Sequence, residues 1–215
     1  MAASGPREQR SAATRAELKR VARRMFATRG ISAVGLREVA VEAGQRNTAA
    51  VHYHFGTKDD LLRELLVDGA RAIDVHRQAI IDRAEASGTP SMDELVCAFV
   101  QPSLDLESAP GHPETYHRFL SNIMGERREL FESTIVDSHA TGYQRATAHV
   151  RRLLDDVAPA EIDRRIVFAT LSLQAIFTAR ETACDAMPAG THPFWGRRDV
   201  TRGIFATTEA ILLQR

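Results

Sequence analysis

The sequence predicts an all-α protein, with a small N-terminal helical domain and a larger C-terminal helical domain. Apolar residues recur at spacings of three and four along most of the 215 residues, and no convincing stretch alternates as a half-buried strand does. Hydrophobic residues make up 44% of the chain, which is enough for a substantial core. Basic residues concentrate near the N-terminus and acidic residues in the remainder.

The uneven charge says more about partners than the net charge of zero. Residues 1–60 hold eleven Lys and Arg against six Asp and Glu, which leaves residues 61–215 with seventeen against twenty-two. A basic N-terminal segment suits a polyanion, and the acidic remainder would confine that attraction to one end. A solvated charged helix explains the same excess, so charge alone leaves both interpretations open.

Membrane and redox signals are missing from the sequence. The best apolar run, LVCAFV at 95–100, is far shorter than the about 20 residues that span a bilayer, and the first twenty residues lack a signal-peptide core. We therefore expect a soluble, cytoplasmic chain with no membrane partner. Cys97 and Cys184 match no metal or redox spacing, so we expect free thiols rather than a disulfide.

The first two predicted helices are amphipathic, and each ends at a glycine. The first runs from about Thr14 to Gly30, after a short disordered arm, and the second runs from about Leu36 to Gly44.

A third predicted helix lies within the stretch GQRNTAAVHYHFGTK. Asn47 is a good N-cap for a helix from Thr48 to Phe55. At about 100° per residue, Val51 and Phe55 share one side, while Tyr53 points the opposite way. Small residues in the first turn would let the backbone approach a partner closely, and the outer face offers hydrogen-bonding side chains.

A helix, a glycine turn and a short helix with a polar outer face form the pattern of a helix-turn-helix. The second helix of that motif lies in the major groove of DNA, where its first turn reaches base edges. Thr57 is predicted to cap a fourth helix, whose N-terminal amides would hold a second phosphate together with Lys58.

The string LREVAVEAG…TAAVHYHFGTKDDLL resembles the DNA-binding domain of the TetR family of bacterial regulators, over roughly Ala12 to Leu66. This resemblance implies phosphate contacts from Tyr53, His54 and Lys58. It also implies that five residues lie at or near the bases, namely Arg46, Asn47, Thr48, Ala49 and His52.

The sequence departs from the family pattern at two places. Val34 and Gly35 stand where the family often has threonines, so a hydroxyl contact to phosphate is missing and Gly35 becomes the predicted cap. The turn 45–47 is about one residue longer than usual, which leaves the assignment of base contacts open by one position but not the identity of the helix. Two interpretations compete with phosphate contact. His54 would instead form a hydrogen bond within its own domain, and Tyr53 would be an ordinary surface aromatic.

The rest of the chain also has a helical pattern. Predicted helices span 58 to about 86, 92 to about 108, 114–124, 127–157 with a bend at Gly142, 159–186 and 200–213.

The resemblance implies a helix-turn-helix domain over residues 1–57 and an effector-binding and dimerisation domain over 58–215. The last two helices would form a four-helix dimer interface, so that a homodimer binds a palindromic operator in double-stranded DNA. The expected protein is a repressor that a small-molecule effector releases from DNA. Candidate pocket residues, each of which ordinary core packing would also explain, are Phe99, Tyr116, Phe119, Tyr143, Gln174, Phe177 and Arg180. Arg180 would pair with an acidic effector or with an acidic neighbour.

An enzyme and a helical interaction protein without DNA binding are the alternative classes. His112, Glu114 and His117 resemble metal-ligand spacing for a helical metalloenzyme, but Pro113 places His112 in a loop and no third ligand is in reach. His52 and His54 diverge by about 200° on a helix and cannot share one ion. We expect no catalytic residues, no metal and no cofactor.

Overall fold

A computed structural model describes residues 5–47, 49–106, 114–136, 140–185, 187 and 191–214, which form ten α-helices and no β-strand. The all-α prediction is therefore confirmed. In chain order the helices are α1 (Pro6–Arg29), α2 (Leu36–Glu42), α3 (Ala50–Phe55), α4 (Lys58–Ser87), α5 (Met92–Leu104), α6 (Tyr116–Glu126), α7 (Arg128–Val136), α8 (Thr141–Leu153), α9 (Pro159–Ala183) and α10 (Arg198–Leu213).

Helix α1 begins eight residues before the predicted Thr14, so the prediction of a disordered arm was wrong from Pro6 onward. Pro6 suits the first helical position because the amide hydrogen that proline lacks would have no acceptor within the helix. The Glu8 carboxylate accepts a hydrogen bond from the Gly5 amide at 3.1 Å. Residues 7–13 are exposed on every side. Amphipathic periodicity could not find this extension, because it has no buried apolar face.

Two predicted boundaries in the middle of the chain were also wrong. Helix α5 ends at Leu104 rather than near residue 108, and the APGHP stretch lies outside the described residues. The single predicted helix over 127–157 is two helices, α7 and α8. The buried Asp74 carboxylate caps α8 by accepting from the amides of Gly142 and Tyr143 at 3.0 and 3.1 Å, so Gly142 lies in a first turn rather than at a bend.

The chain divides into two compact units. The N-terminal unit contains Met1–Asp68 and Arg118–Asp137, and the C-terminal unit contains Gly69–His117 and Ser138–Arg215. The N-terminal unit thus includes a segment from the second half of the chain. The boundary at residue 57 stays a prediction about where the two functions divide.

The core of the N-terminal unit forms where α1, α2 and α3 pack on one another and on the start of α4. Leu18 and Phe26 of α1, Val39 of α2, Val51 of α3 and Leu62 of α4 are all fully buried. The apolar periodicity that predicted α1 and α2 therefore marks the inward faces of these helices.

The core of the C-terminal unit joins α5, α8, α9 and α10. Helix α9 packs along α10, and α5 packs against α8 and α10. Representative buried members are Leu95, Val150, Ile166, Phe177 and Leu212. Over the part of the chain that the structure describes, none of the helices is long and apolar enough to cross a membrane.

Candidate nucleic-acid interface

Helix α3 has two chemically different faces. Val51 is fully buried and Phe55 is 6% exposed, so these two side chains anchor the helix in the N-terminal unit. Tyr53 is 84% exposed, and its ring meets the His54 ring in a T-shaped contact at a centroid distance of 5.1 Å. This aromatic side chain therefore presents its hydroxyl group to solvent at little cost to the fold.

Asn47 holds the turn before α3 but is not its N-cap as predicted, because the helix begins at Ala50 and its N-cap is Ala49. The side-chain oxygen of Asn47 accepts from the amide of Ala49 at 3.0 Å, and the Asn47 carbonyl accepts from the amide of Ala50 at the same distance. The helix begins at Ala50 rather than at Thr48, and Thr48 lies outside the described residues. Arg46, Asn47 and Ala49 are exposed.

The two histidines of α3 have different surroundings. His52 is exposed, and its Nδ1 lies 2.8 Å from the carbonyl oxygen of Gly56, so Nδ1 carries the hydrogen and donates it. His54 is half-buried between the rings of Tyr53 and Phe55. The contacts of the His52 and His54 side chains therefore lie within α3 and the turn that follows it.

Lys58 is held inside the N-terminal unit. Its ammonium donates to the carbonyl oxygens of Ile31 and Val34, at 2.6 and 2.7 Å, and lies 5.5 Å from the ring centroid of Phe26. Burial lowers the pKa of Lys58, and the nearby charge of Arg127 acts in the same direction. Two of its three N–H donors therefore stabilise the turn between α1 and α2.

Thr57 caps α4 as the sequence predicted. Its hydroxyl accepts from the amide of Asp60 at 3.1 Å, and the Asp60 carboxylate accepts from the Thr57 amide at 3.1 Å. The Thr57 hydrogen bonds are the main reason that the pKa of Asp60 lies below its ordinary value. This reciprocal pair fixes the turn that follows α3.

Helix α6 supplies contacts that the sequence did not reveal. The Glu126 carboxylate accepts from the amides of Ile31 and Ser32 at 2.8 and 2.7 Å, directly after α1. The hydrogen bonds from Ser32 are the largest cause of the lowered pKa of Glu126. The side-chain nitrogen of Asn122 donates to the carbonyls of Phe26 and Ala27, at 2.8 and 3.0 Å. We call Asn122 and Glu126 the α6 clamp.

The α6 clamp explains the glycine that ends α1. Gly30 has a φ of +88°, and a Cβ added there would lie 2.9 Å from Oε1 of Glu126. Next along the chain, Nη2 of Arg127 donates to both carboxylate oxygens of Asp59, at 2.7 and 2.8 Å. The end of α1 and the turn before α2 are thus held by residues about 95 positions away in the sequence.

The predicted pocket residues fall into separate groups. Phe119 belongs to the N-terminal unit, where its fully buried ring lies 6.3 Å from Phe26 and forms part of the core. Phe99 and Tyr143 contact each other edge to face at 5.9 Å in the C-terminal unit. A further group in that unit surrounds His117 and consists of Tyr116, Gln174 and Phe177, with the half-buried Arg180 following on α9.

The metal-like spacing at residues 112–117 does not assemble a site among the described residues. The Glu114 carboxylate accepts from the amides of Thr115 and Tyr116, both at 2.8 Å, and His112 lies outside the described residues. Over those ranges, no three His, Cys, Asp or Glu side chains lie close enough together to hold an ion. Cys97 and Cys184 are free thiols, as expected.

Comparison with known proteins agrees with this arrangement. Residues 19–65 match the family model of bacterial regulatory proteins of the tetR family. A protein from Mesorhizobium loti MAFF303099, whose 1.54 Å crystal structure carries a provisional assignment as a TetR-family transcriptional regulator, has a similar fold. It shares 17% sequence identity with a TM-score of 0.52, over 95% of this chain and 98% of the other. A comparison with curated protein sequences finds no match.

Proposed function

Because this chain carries the N-terminal domain of the TetR family, we propose that it regulates transcription by inserting α3 into the major groove of duplex DNA. The observation that carries this proposal is the division of α3 into two faces. Val51 and Phe55 anchor the helix, while Tyr53 and His52 are exposed on a segment rich in basic residues. The Tyr53 side chain, at 84% exposure, contributes little to the core and leaves its ring and hydroxyl accessible to a partner.

Contacts are divided between base edges and phosphates. Arg46, Asn47, Ala49 and His52 are exposed at and beside the first turn of α3, which suits base edges, and Thr48 keeps this role on the sequence resemblance. Among the proposed phosphate ligands, Tyr53 has the most exposed side chain.

His54 and Lys58 are the less accessible phosphate ligands of the proposal. His54 is half-buried beside Tyr53, and only one N–H of Lys58 is left over from its two carbonyl partners. We assign Lys58 a supporting electrostatic role and a structural one, since the same ammonium holds the α1–α2 turn.

The regulator acts as a homodimer in this proposal. Helix α9 exposes an apolar stripe at helical spacing, with Phe168 at 54%, Leu171 at 51% and the small residues Ala175 and Ala179 following. Helix α10 exposes Gly203 and Ala206. Two copies joined through these helices would present two α3 helices to the half-sites of a palindromic operator.

Regulation follows from a small-molecule effector bound in the C-terminal unit. An effector that prefers the conformation unable to match the half-site spacing releases the operator, which is the behaviour of a repressor. The expected location is cytoplasmic, where operator and effector meet.

Tyr53→Ala tests the proposed function with little risk to the fold, because the side chain is almost fully exposed. Retention of the protein on fragmented genomic DNA should fall about tenfold or more, since one phosphate ligand and its ordered ring are lost. Phe194→Ala, at an exposed aromatic residue of the C-terminal unit, is the matched control and should retain wild-type binding. Equal retention of all three proteins on the DNA would exclude Tyr53 as a contact, and retention of none of them would favour a helical interaction protein without DNA binding.

A further inference from the structure

His117 is a buried histidine whose surroundings fix almost every polar atom it has. It is the second residue of α6 and is 5% exposed. The Phe177 ring stacks on the imidazole at a centroid distance of 5.0 Å, and the Tyr116 ring meets it edge on at 5.8 Å. Tyr116 in turn occupies the space over Gly69, where a Cβ would lie 2.0 Å from the tyrosine ring. The histidine therefore lies in aromatic surroundings.

The backbone of His117 is fully hydrogen-bonded. Its amide donates to the buried Glu181 carboxylate at 3.0 Å, and its carbonyl oxygen accepts from Nε2 of Gln174 at 2.8 Å and from the Thr178 hydroxyl at 3.1 Å. Because the amide nitrogen of Gln174 faces that carbonyl, its side-chain oxygen faces the imidazole. That oxygen lies 2.9 Å from Nδ1, so Nδ1 must carry the hydrogen.

The remaining ring nitrogen, Nε2, has no hydrogen-bond partner within the described ranges and is shielded from solvent. Burial lowers the pKa of His117 to about 4, which Gln174 opposes and the charge of Arg180 reinforces. At neutral pH the ring is uncharged, and Nε2 is a lone-pair acceptor. Buried acceptors without a donor are uncommon in folded proteins, because the lost hydration is not replaced.

We propose that Nε2 of His117 anchors the effector site of the C-terminal unit, and that the effector is an aromatic or otherwise apolar molecule bearing a hydroxyl or N–H donor. This inference rests on the proposed function, since it names the chemical class of the effector that releases the regulator from DNA. The aromatic side chains would make apolar contacts with the effector, and a hydrogen bond to the Nε2 lone pair would fix its orientation. A carboxylate ligand brings no hydrogen for Nε2, so the site favours neutral donors over acids.

A metal ion fits these surroundings less well than an organic donor. The carboxylate of Glu181 is engaged by the His117 amide, and no cluster of three ligating side chains is found among the described residues. A neutral imidazole alone is a poor site for zinc, which takes three or four protein ligands.

The first test compares phenol with toluene, which have nearly the same shape and differ in the hydroxyl donor. Calorimetric titration of the full-length protein should give about tenfold tighter binding of phenol, the effect of one buried hydrogen bond. Benzoate should bind more weakly than phenol. In His117→Phe, which keeps a stacking ring but has no acceptor, the preference for phenol should disappear.

Nitrogen-15 NMR of histidine-labelled wild-type protein provides a readout that does not depend on the variant folding. Phenol should shift the Nε2 resonance of His117, whereas toluene should not. The Nε2 resonance of His149 is the internal control, because that atom already pairs with Glu85 at 2.7 Å.

The proposal is overturned if phenol does not bind, if it binds no better than toluene, or if its binding leaves the Nε2 resonance of His117 in place. Each of these results would make the unpartnered nitrogen a feature of the core only. DNA retention without added phenol is measured separately, so loss of the ligand site and loss of the proposed function are distinguishable.

Discussion

A single side chain, Glu126, stabilises the turn between α1 and α2. Glu126→Gln keeps the size of the side chain but replaces a carboxylate that accepts from the amides of Ile31 and Ser32. We expect the free energy of unfolding to fall by about 1 kcal/mol, because the group is partly exposed and solvent screens the charge. Urea unfolding near neutral pH measures this. Glu129→Gln, at an exposed residue three positions on, is the matched control and should change little.

The same carboxylate gives a pH dependence with a definite sign. The pKa of Glu126 in the folded protein lies below the ordinary value of 4.5, so its contribution is complete above that value and is lost as the pH falls through the folded pKa. The stability difference between wild type and Glu126→Gln should therefore shrink in acid. A difference that stays constant from neutral pH to well below pH 4.5 would contradict the assignment.

Sequence patterns found the side chains of α3 and missed those of the α6 clamp, for a physical reason. Asn47 and Thr57 hydrogen-bond within one turn of their own positions, and Val51 and Phe55 lie four residues apart on one buried face, so local spacing reveals the roles of all four. Glu126 acts on a turn 95 residues earlier, and nothing in its local sequence distinguishes it from a solvated glutamate.

Helices pack closely only where small residues permit it, and α4 and α6 provide the clearest example. Gly69→Ala would place a methyl group 2.0 Å from the Tyr116 ring. We expect a loss of about 1–3 kcal/mol, as for other overpacked sites, in thermal or urea unfolding.

Gly125→Ala is the control for the α4–α6 contact, because a Cβ there meets nothing within 4 Å. It lies in α6, so alanine should stabilise the protein by up to about 1 kcal/mol through helix propensity. Equal effects of the two substitutions would mean that Tyr116 moves aside at no cost.

Helix existence was predictable from periodicity, whereas several helix ends were not. The starts of α2 and α9 follow local signals, at Gly35 and Pro159. The break between α7 and α8 depends on Asp74, a cap supplied from α4 and invisible in the local pattern. The start of α1 has local signals in Pro6 and Glu8, but neither residue is part of an apolar stripe.

The homodimer that we propose is testable at the exposed apolar stripe of α9. Phe168→Asp should convert the dimer into a monomer in sedimentation velocity at micromolar concentration, because a charge cannot be buried in an apolar interface at low cost. Its fold should be retained, as the wild-type side chain is 54% exposed. Val41→Asp, at a 64% exposed residue of α2, is the control and should leave the dimer intact. A wild-type protein that sediments as a monomer would remove the dimer from the account.

Selection of duplexes from a random DNA pool by the purified wild-type protein, at two salt concentrations, tests the central claim most directly. The account predicts a palindromic consensus with half-sites about one helical turn apart, whose affinity falls with salt as counterions are released. Tyr53→Ala should recover the same consensus more weakly. Enrichment of no consensus at either salt concentration would contradict sequence reading by α3.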